Sequence, residues 1–292
     1  MTTPVEAATG SVWAVLLYYR NWPGILETLD ALEANASSLA GVIVVDNASG
    51  DDLSGRLTGV SHRMVLTTRR NGGYASGMNQ GAAVALRNGA THLLFLTHDC
   101  LLSPGAVGAL LDTLRVESST GIVGPLLRFP DRDQVFSAGG YLRLKTLDRG
   151  HHRYREALGS LAPRREHVDW LDGACLLVRR EAWAAAGPFD EDYFLYVEEV
   201  DLCHRMRRAG WSITIDSAVV VSQSTTGIPA YFEARNWARF ARTHAPVSAR
   251  VHFIRGQLKR SLTDLAKGEP RLAASRARGL RDHFLHRYGE PR

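Results

Sequence analysis

The amino-acid sequence points to an α/β fold: a mostly parallel central sheet flanked by helices, followed by a helical C-terminal extension. Two observations carry this. Short continuous apolar runs alternate with stretches of helical periodicity through the first ~115 residues, the pattern of strands buried on both faces and joined by helices. Each apolar run also stops at a cluster of turn-forming or ligand-competent residues, as at the carboxyl ends of such strands.

The elements follow in order. Residues 12–19 (VWAVLLYY) form an uninterrupted apolar run, read as a buried strand. Asn21, Trp22 and Pro23 end it, and Pro23 suits a first helical turn. Ile25, Leu26, Leu29 and Leu32 then recur at helical spacing. Residues 41–45 (GVIVV) are the second buried strand, stopping at the turn formers and caps of residues 46–51 (DNASGD). Residues 64–67 form a short third strand. A glycine-rich turn at residues 71–77 (NGGYASG) leads into a helix through Met78, Ala82, Ala85 and Leu86. Residues 92–97 (HLLFLT) are a fourth strand, ending at His98 and Asp99, and Pro104 opens another helix. Arg20, Asp46, Asn71 to Gly73 and Asp99 thereby gather at one sheet edge. Each alone suits an ordinary loop; together they predict a ligand site.

Residues 121–167 are less regular. Residues 136–142 (FSAGGYL) suggest a bent strand pair. Residues 144–163 are rich in Arg and His with little apolar periodicity, which predicts a mobile loop, either plain surface or a lid over an anion. Beyond it, residues 170–183 (WLDGACLLVRREAW) read as a buried strand and short helix. Glu198, Glu199 and Asp201 then open a further helix. Acidic residues favour a helix N-terminus, the ordinary reading. Three carboxylates in four positions also repel, and the sharper reading is a general base held beside a cleft.

The 292 residues, 45% of them hydrophobic, suffice for one large α/β core or two small ones. No stretch reaches the ~18 apolar residues of a membrane span. Residues 1–10 carry Glu6 and no basic residue, unlike a secretory leader. Cys100, Cys175 and Cys203 match neither a disulfide framework nor a zinc site and fit a reducing, cytoplasmic setting. The charge of +5 is modest and allows an anionic substrate. A nucleic-acid partner is not expected, because no basic groove with aromatic platforms appears. The excess charge concentrates at the C-terminus, with about eleven Lys or Arg against about four Asp or Glu in residues 245–292. This divides the chain into a catalytic domain, 1–245, and a basic helical extension, 246–292. The extension reads first as a solvated face, then as a contact for a second copy or for an anionic membrane, which would place the protein at the membrane periphery.

The motifs VVDNAS (44–49), NGGYASGMN (71–79), the Asp99 segment, SAGG (137–140), GACLLVRRE (173–181) and FDEDYFLYVEEVDL (189–202) occur in this order. The ordered set resembles the family 2 inverting glycosyltransferases of GT-A fold, whose sheet is Rossmann-like, and especially their rhamnosyltransferase-like branch. The resemblance spans roughly residues 12–244, boundaries being the least certain part of such a reading. It implies transfer of a sugar from a nucleoside-diphosphate sugar, UDP- or dTDP-linked, to a hydroxyl of a glycan or small natural product. It places Asp46 on the nucleotide base, the backbone of Tyr18 and Tyr19 beside that base, and Asn71, Gly73 and Asn79 around the nucleotide pocket. Asp99 takes the place of the last carboxylate of the metal motif, holding Mg²⁺ or Mn²⁺ on the diphosphate. Glu199 falls at the position of the catalytic base, flanked by Glu198 and Asp201. Trp170, Asp172 and Gly173 fall where the acceptor approaches.

Three departures from the family pattern stand out. The metal motif reads Thr97-His98-Asp99, with one carboxylate. Ser222, Gln223 and Ser224 stand where relatives place a metal-binding His. Arg20 replaces a common Asn. A weak, donor-dependent metal site is therefore expected, with His98 as the residue that could compensate. A catalytically degenerate domain that binds nucleotide or a partner is the alternative. A dehydrogenase is disfavoured, because no Gly-x-Gly-x-x-Gly follows the first strand.

Overall fold

The computed structural model describes residues 11–57, 63–224 and 227–291, so residues 1–10, where a leader is not expected, lie outside the described region. The first half runs β1 (Val12–Tyr18), α1 (Trp22–Glu33), β2 (Gly41–Asp46), α2 (Leu53–Arg56), β3 (Arg63–Thr67), α3 (Gly73–Arg87), β4 (His92–Thr97), β5 (Cys100–Leu101) and α4 (Ala106–Val116). The second runs β6 (Thr120–Arg128), β7 (Val135–Ser137), β8 (Gly140–Arg143), β9 (Asp148–His151), β10 (Arg165–His167), β11 (Cys175–Arg179), α5 (Arg180–Ala186), α6 (Glu198–Arg208), β12 (Ser212–Gln223), α7 (Ala230–His244), α8 (Val247–Ala266) and α9 (Pro270–Phe284).

The main sheet has the order β10-β12-β6-β11-β4-β1-β2-β3, with β5 on β12 and β7 on β6. The alternating first half produces the expected parallel block β3-β2-β1-β4. Strand order reverses beside β1, since β2 lies on one flank and β4 on the other, and the crevice this opens lies at the carboxyl ends. β11 enters antiparallel between β4 and β6, and β12 returns parallel to β6. The sheet is therefore mixed in its second half.

The apolar runs are buried as their composition requires. Val15, Leu16, Ile43, Val44, Leu94 and Phe95 have no exposed surface, and burial of each such side chain contributes roughly 1.5–3 kcal/mol. Asn21 caps α1 by accepting the Gly24 N–H, and Ile25, Leu29 and Leu32 face inward. The cysteines are buried and unpaired. Among the described residues no helix is long and apolar enough to cross a membrane.

The structure corrects one expectation. Residues 144–163 are not a featureless loop. β8 and β9 form a separate two-stranded hairpin. Arg149 places its guanidinium 4.0 Å from the Trp237 ring centre and 5.6 Å from that of Phe253. His151 lies edge-on to Trp170 and Phe136. These contacts couple cations and polar rings to distant aromatics, and they follow no local periodicity. The suspected strand pair at residues 136–142 is also rearranged: β7 pairs with β6 and β8 with β9.

The C-terminal helices are anchored to the sheet domain through α7. Arg235 is completely buried. Its guanidinium donates to Tyr193 O at 2.8 Å, Gly289 O at 2.8 Å and Asn236 Oδ1 at 2.9 Å. It thereby joins α7, the C-terminal turn and the segment before α6. Truncation to Met would strip buried acceptors of their donor. Arg235→Met is expected to lower stability by about 2–4 kcal/mol, measured by denaturant unfolding; a loss within experimental error would show the network to be dispensable.

Candidate active site

A cavity of ≈ 570 Å³ opens beside the carboxyl end of β4. Its polar floor is Thr97, Asp172, Glu198, Glu199 and Gln223, and its walls include Phe136, His151, Tyr154, Trp170 and Trp237. Five expected site residues converge here: Trp170, Asp172, Gly173, Glu198 and Glu199.

The position of the glutamates depends on an unusual backbone. Phe194, Tyr196 and Val197 have φ of 65°, 71° and 77°, left-handed conformations that cost on the order of 1–3 kcal/mol each for non-glycine residues. The surroundings hold them there. Asn236 Nδ2 lies 3.0, 2.8 and 2.8 Å from the carbonyls of Tyr193, Leu195 and Tyr196. The Tyr74 N–H donates to Phe194 O at 2.7 Å. Gly73 has φ +76°, and a Cβ there would collide with the Phe194 carbonyl. The glycine of the turn is needed because this loop passes so close.

Glu198 is buried and Glu199 partly open to the cavity. Burial, then the charge of Glu199, pushes the Glu198 carboxyl well above its ordinary range. Burial, with the Asp172 carboxylate adding repulsion, raises Glu199 to about 8. The pair therefore retains a proton near neutral pH, and proton transfer is most effective when the group's pKa lies near working pH. Asp201 stands apart. Burial alone would raise its pKa, but His244 at 2.7 Å and Arg205 at 2.7 Å outweigh burial and lower it. Facing Arg205 and His244 and outside the cavity, it does not join the glutamate pair.

Three buried oxygens around the cavity have no hydrogen-bond partner among the described residues: Thr97 Oγ1, Glu198 Oε2 and Gln223 Oε1. An unsatisfied buried polar group costs roughly 1–3 kcal/mol, so the cavity is built to receive polar atoms from a ligand. The Asp172 carboxylate lies 3.7 Å from His151 Nε2. Trp170 donates its indole N–H to Tyr141 O. Its ring packs over Gly140, where a Cβ would collide with it, which explains the SAGG motif.

The remaining expected residues form a second group, at the carboxyl ends of β1 and β2 and around the glycine-rich turn. Tyr18 and Asp46 are in register across β1 and β2. Asp46 Oδ1 accepts the Ser49 N–H, and the Tyr18 hydroxyl donates to Asp51. Burial and that carboxylate push the Tyr18 phenol up to about 12. Tyr19 is exposed beneath Arg20, whose Nε donates to Ser49 O. Asn71 Oδ1 accepts from Gly73 N and from Asn47. Asn79 spends both ends of its amide on Phe189, bracing α3 against that loop. The turn holding His98 and Asp99 lies between the groups. The His98 ring meets Tyr18 edge-on, and the Asp99 charge reaches Tyr196.

Sequence reading missed several contributors. Asn47 was visible only as a turn former; its buried amide donates to Asn71 and Gly73 O and accepts from Gly72. His151 and Trp237 come from segments carrying no motif. Gln223, in sequence only a departure from a metal-binding His, lines the cavity with an oxygen that has no partner among the described residues.

An α/β sheet whose strand order reverses beside a carboxylate-floored cavity is the build of a GT-A glycosyltransferase, and the comparisons agree. Residues 19–245 match the sequence model described as "Glycosyltransferase like family 2". The chain belongs to this family, and it is a glycosyltransferase. It is 31% identical over 232 residues to an N-acetylglucosaminyl-diphospho-decaprenol L-rhamnosyltransferase of Mycobacterium tuberculosis, covering 71% of this chain and 74% of that protein. The structure superposes on GalNAc-T7 with UDP, GalNAc and Mn²⁺ at a TM-score of 0.59 and 13% identity, covering 85% of this chain and 54% of that one. It also superposes on the mannosyltransferase PcManGT from Pyrobaculum calidifontis, in complex with GDP-Man and Mn²⁺, at 0.56 and 16% identity, covering 94% and 75%. At these identities the two structures establish the fold.

The glutamate pair makes stability depend on pH. Between the unfolded value of 4.5 and about 8, folded Glu199 keeps a proton that the unfolded chain has lost. The folded state binds more protons, so this contribution is complete below pH 4.5 and is lost as pH rises through 8. The limit is about 1.4 kcal/mol per pH unit per proton. Unfolding of the ligand-free protein between pH 5 and 9 should show this decline, and a Glu198→Gln/Glu199→Gln variant should flatten it. An equally steep decline in the variant would place the titrating groups elsewhere.

Proposed function

We propose that the protein transfers a sugar from a UDP- or dTDP-sugar to an acceptor hydroxyl with inversion at the anomeric carbon, Glu199 acting as general base. The observation that carries this is the contiguous Glu198–Glu199 pair, held by a strained loop at the floor of an aromatic-walled cavity. An acceptor hydroxyl becomes an effective nucleophile only as its proton is withdrawn, and a carboxylate within hydrogen-bond reach does this. Burial and the nearby Asp172 carboxylate keep the Glu199 pKa high enough for the proton to be accepted near neutrality. Displacement from the face opposite the leaving nucleoside diphosphate inverts the centre.

The aromatic walls and the orphaned oxygens support a sugar-bearing acceptor, since rings pack on apolar faces of sugars while hydroxyls satisfy the oxygens. The name of the mycobacterial relative supports a lipid-linked glycan acceptor and a rhamnose-like donor sugar. Asp46 and the Asn47-pinned turn are positioned to receive the nucleotide.

For a divalent cation, the residues present fit a weak site. Asp99 has no hydrogen-bond or ion-pair partner among the described residues, and no group of three His, Cys, Asp or Glu there could enclose a metal. Asp99 would hold Mg²⁺ or Mn²⁺, with the diphosphate supplying the remaining hard oxygens. The ion would offset the charge growing on the leaving diphosphate. The second reading, a domain that binds nucleotide without catalysis, draws its support from Ser222, Gln223 and Ser224 standing where relatives place a metal-binding His.

A screen of UDP-, dTDP- and GDP-sugars for transfer or hydrolysis separates the two; nucleotide binding without turnover of any donor supports the second. Glu199→Gln should retain donor affinity while kcat falls ~10²–10⁴-fold; near-normal turnover would move the base elsewhere. Asp99→Ala should abolish the coupling between cation and nucleotide binding seen by calorimetry. Full coupling in that variant would exclude Asp99 as the ligand.

A further inference from the structure

The two C-terminal helices expose a surface that the transfer reaction does not use. Val247, Val251, Leu258, Leu262 and Leu265 of α8 are all solvent-exposed, Leu262 at 68%. At 3.6 residues per turn these five positions fall within an arc of about 60°. Ala249, Phe253, Gln257 and Asp264 make the buried side of the same helix. Phe284 and Leu285, at the end of α9, are 62% and 52% exposed. An apolar groove of ≈ 560 Å³ runs between Phe284 and the first turns of α8, rimmed by Arg242, Arg250 and Arg255.

The exposed charges flanking the stripe along α8 are cationic. Arg255 and Lys259 are exposed beside the aliphatic stripe, and Lys267 and Arg271 lie at its far end. None of these four has an acidic partner among the described residues. Asp264, the sole carboxylate of α8, is buried against Arg276, and Glu269 sits in the turn to α9. An exposed aliphatic row flanked by unpaired cations matches an interface in which side chains enter the acyl boundary while basic groups meet phosphates. A second copy fits less well. Two-fold pairing along the stripe would bring Arg255 and Lys259 close to their own copies, a like-charge contact.

We infer that the α8–α9 face docks the protein onto an anionic lipid surface. α7 contributes Trp237 to the active-site cavity and Ala238 and Ala241 to the apolar groove, so a single helix separates the docking face from the reaction. The inference rests on the helices alone and holds whatever the donor and acceptor are.

The test is co-sedimentation of the full chain with phosphatidylcholine vesicles, with and without phosphatidylglycerol. Binding to the anionic vesicles only, declining with added salt, is expected. Arg255→Ser and Lys259→Ser should each weaken it about fivefold. Leu258→Asp/Leu262→Asp should abolish it, with an unchanged melting curve because both side chains are exposed. A measurement on the unaltered protein accompanies these: amide exchange in α8 should slow when anionic vesicles are added. Absence of binding, equal binding to neutral vesicles, or protection confined to other elements would overturn the inference. So would a stable dimer, dissociated by Leu258→Asp/Leu262→Asp, in a protein that ignores vesicles; that result would assign the face to a second copy.

Discussion

The site depends on how the backbone from Tyr193 to Val197 is held. Three of these five residues occupy left-handed conformations that isolated chains avoid. The Asn236 amide and the Arg235 guanidinium on α7 bind the carbonyls of this segment, and the start of α3 binds Phe194 O. The strain is offset by these buried hydrogen bonds, each strengthened by exclusion of water. The result is rigid placement of two carboxylates at the start of α6. Arg235 also ties the C-terminal turn to the domain through Gly289 O, so the helical extension and the strained loop share one anchor.

The electrostatics follow from that placement. Of the three acidic residues opening α6, Asp201 pairs with Arg205 and His244 and serves the core. Glu198 and Glu199 receive no cation among the described residues, and burial raises both pKa values. Carboxylates two positions apart thus have opposite environments, because a step of two residues turns the helix by about 200° and carries Asp201 to the face that packs on α7. The neutral oxygens of Thr97 and Gln223, together with a glutamate pair that retains a proton, give a cavity suited to hydroxyl groups. In the proposed reading Asp99 would hold the cation without a second carboxylate beside it, so affinity for the cation would depend on charge brought by the donor.

Much was readable in the chain. Continuous apolar runs ending in Tyr18, Asp46 and Thr97 specified buried parallel strands, because only strands covered on both faces tolerate such composition. Their ends fell on one edge because parallel strands share a direction. The acidic start of α6 and the glycine-rich turn before α3 were also local signals, the first of charge, the second of backbone freedom. Tertiary structure supplied the rest. That Asp201 leaves the glutamate pair depends on His244, 43 residues distant. That residues 148–151 order as the second strand of a hairpin with β8 depends on Arg149 finding Trp237 and on His151 finding Trp170. That Asn47 organises the glycine turn, and Asn236 the strained loop, depends on hydrogen bonds spanning some 25 and 40 residues. Periodicity and turn chemistry report interactions within a few residues of chain. Partners brought together by folding leave no such local trace, and the sharpest features of this cavity are made of them.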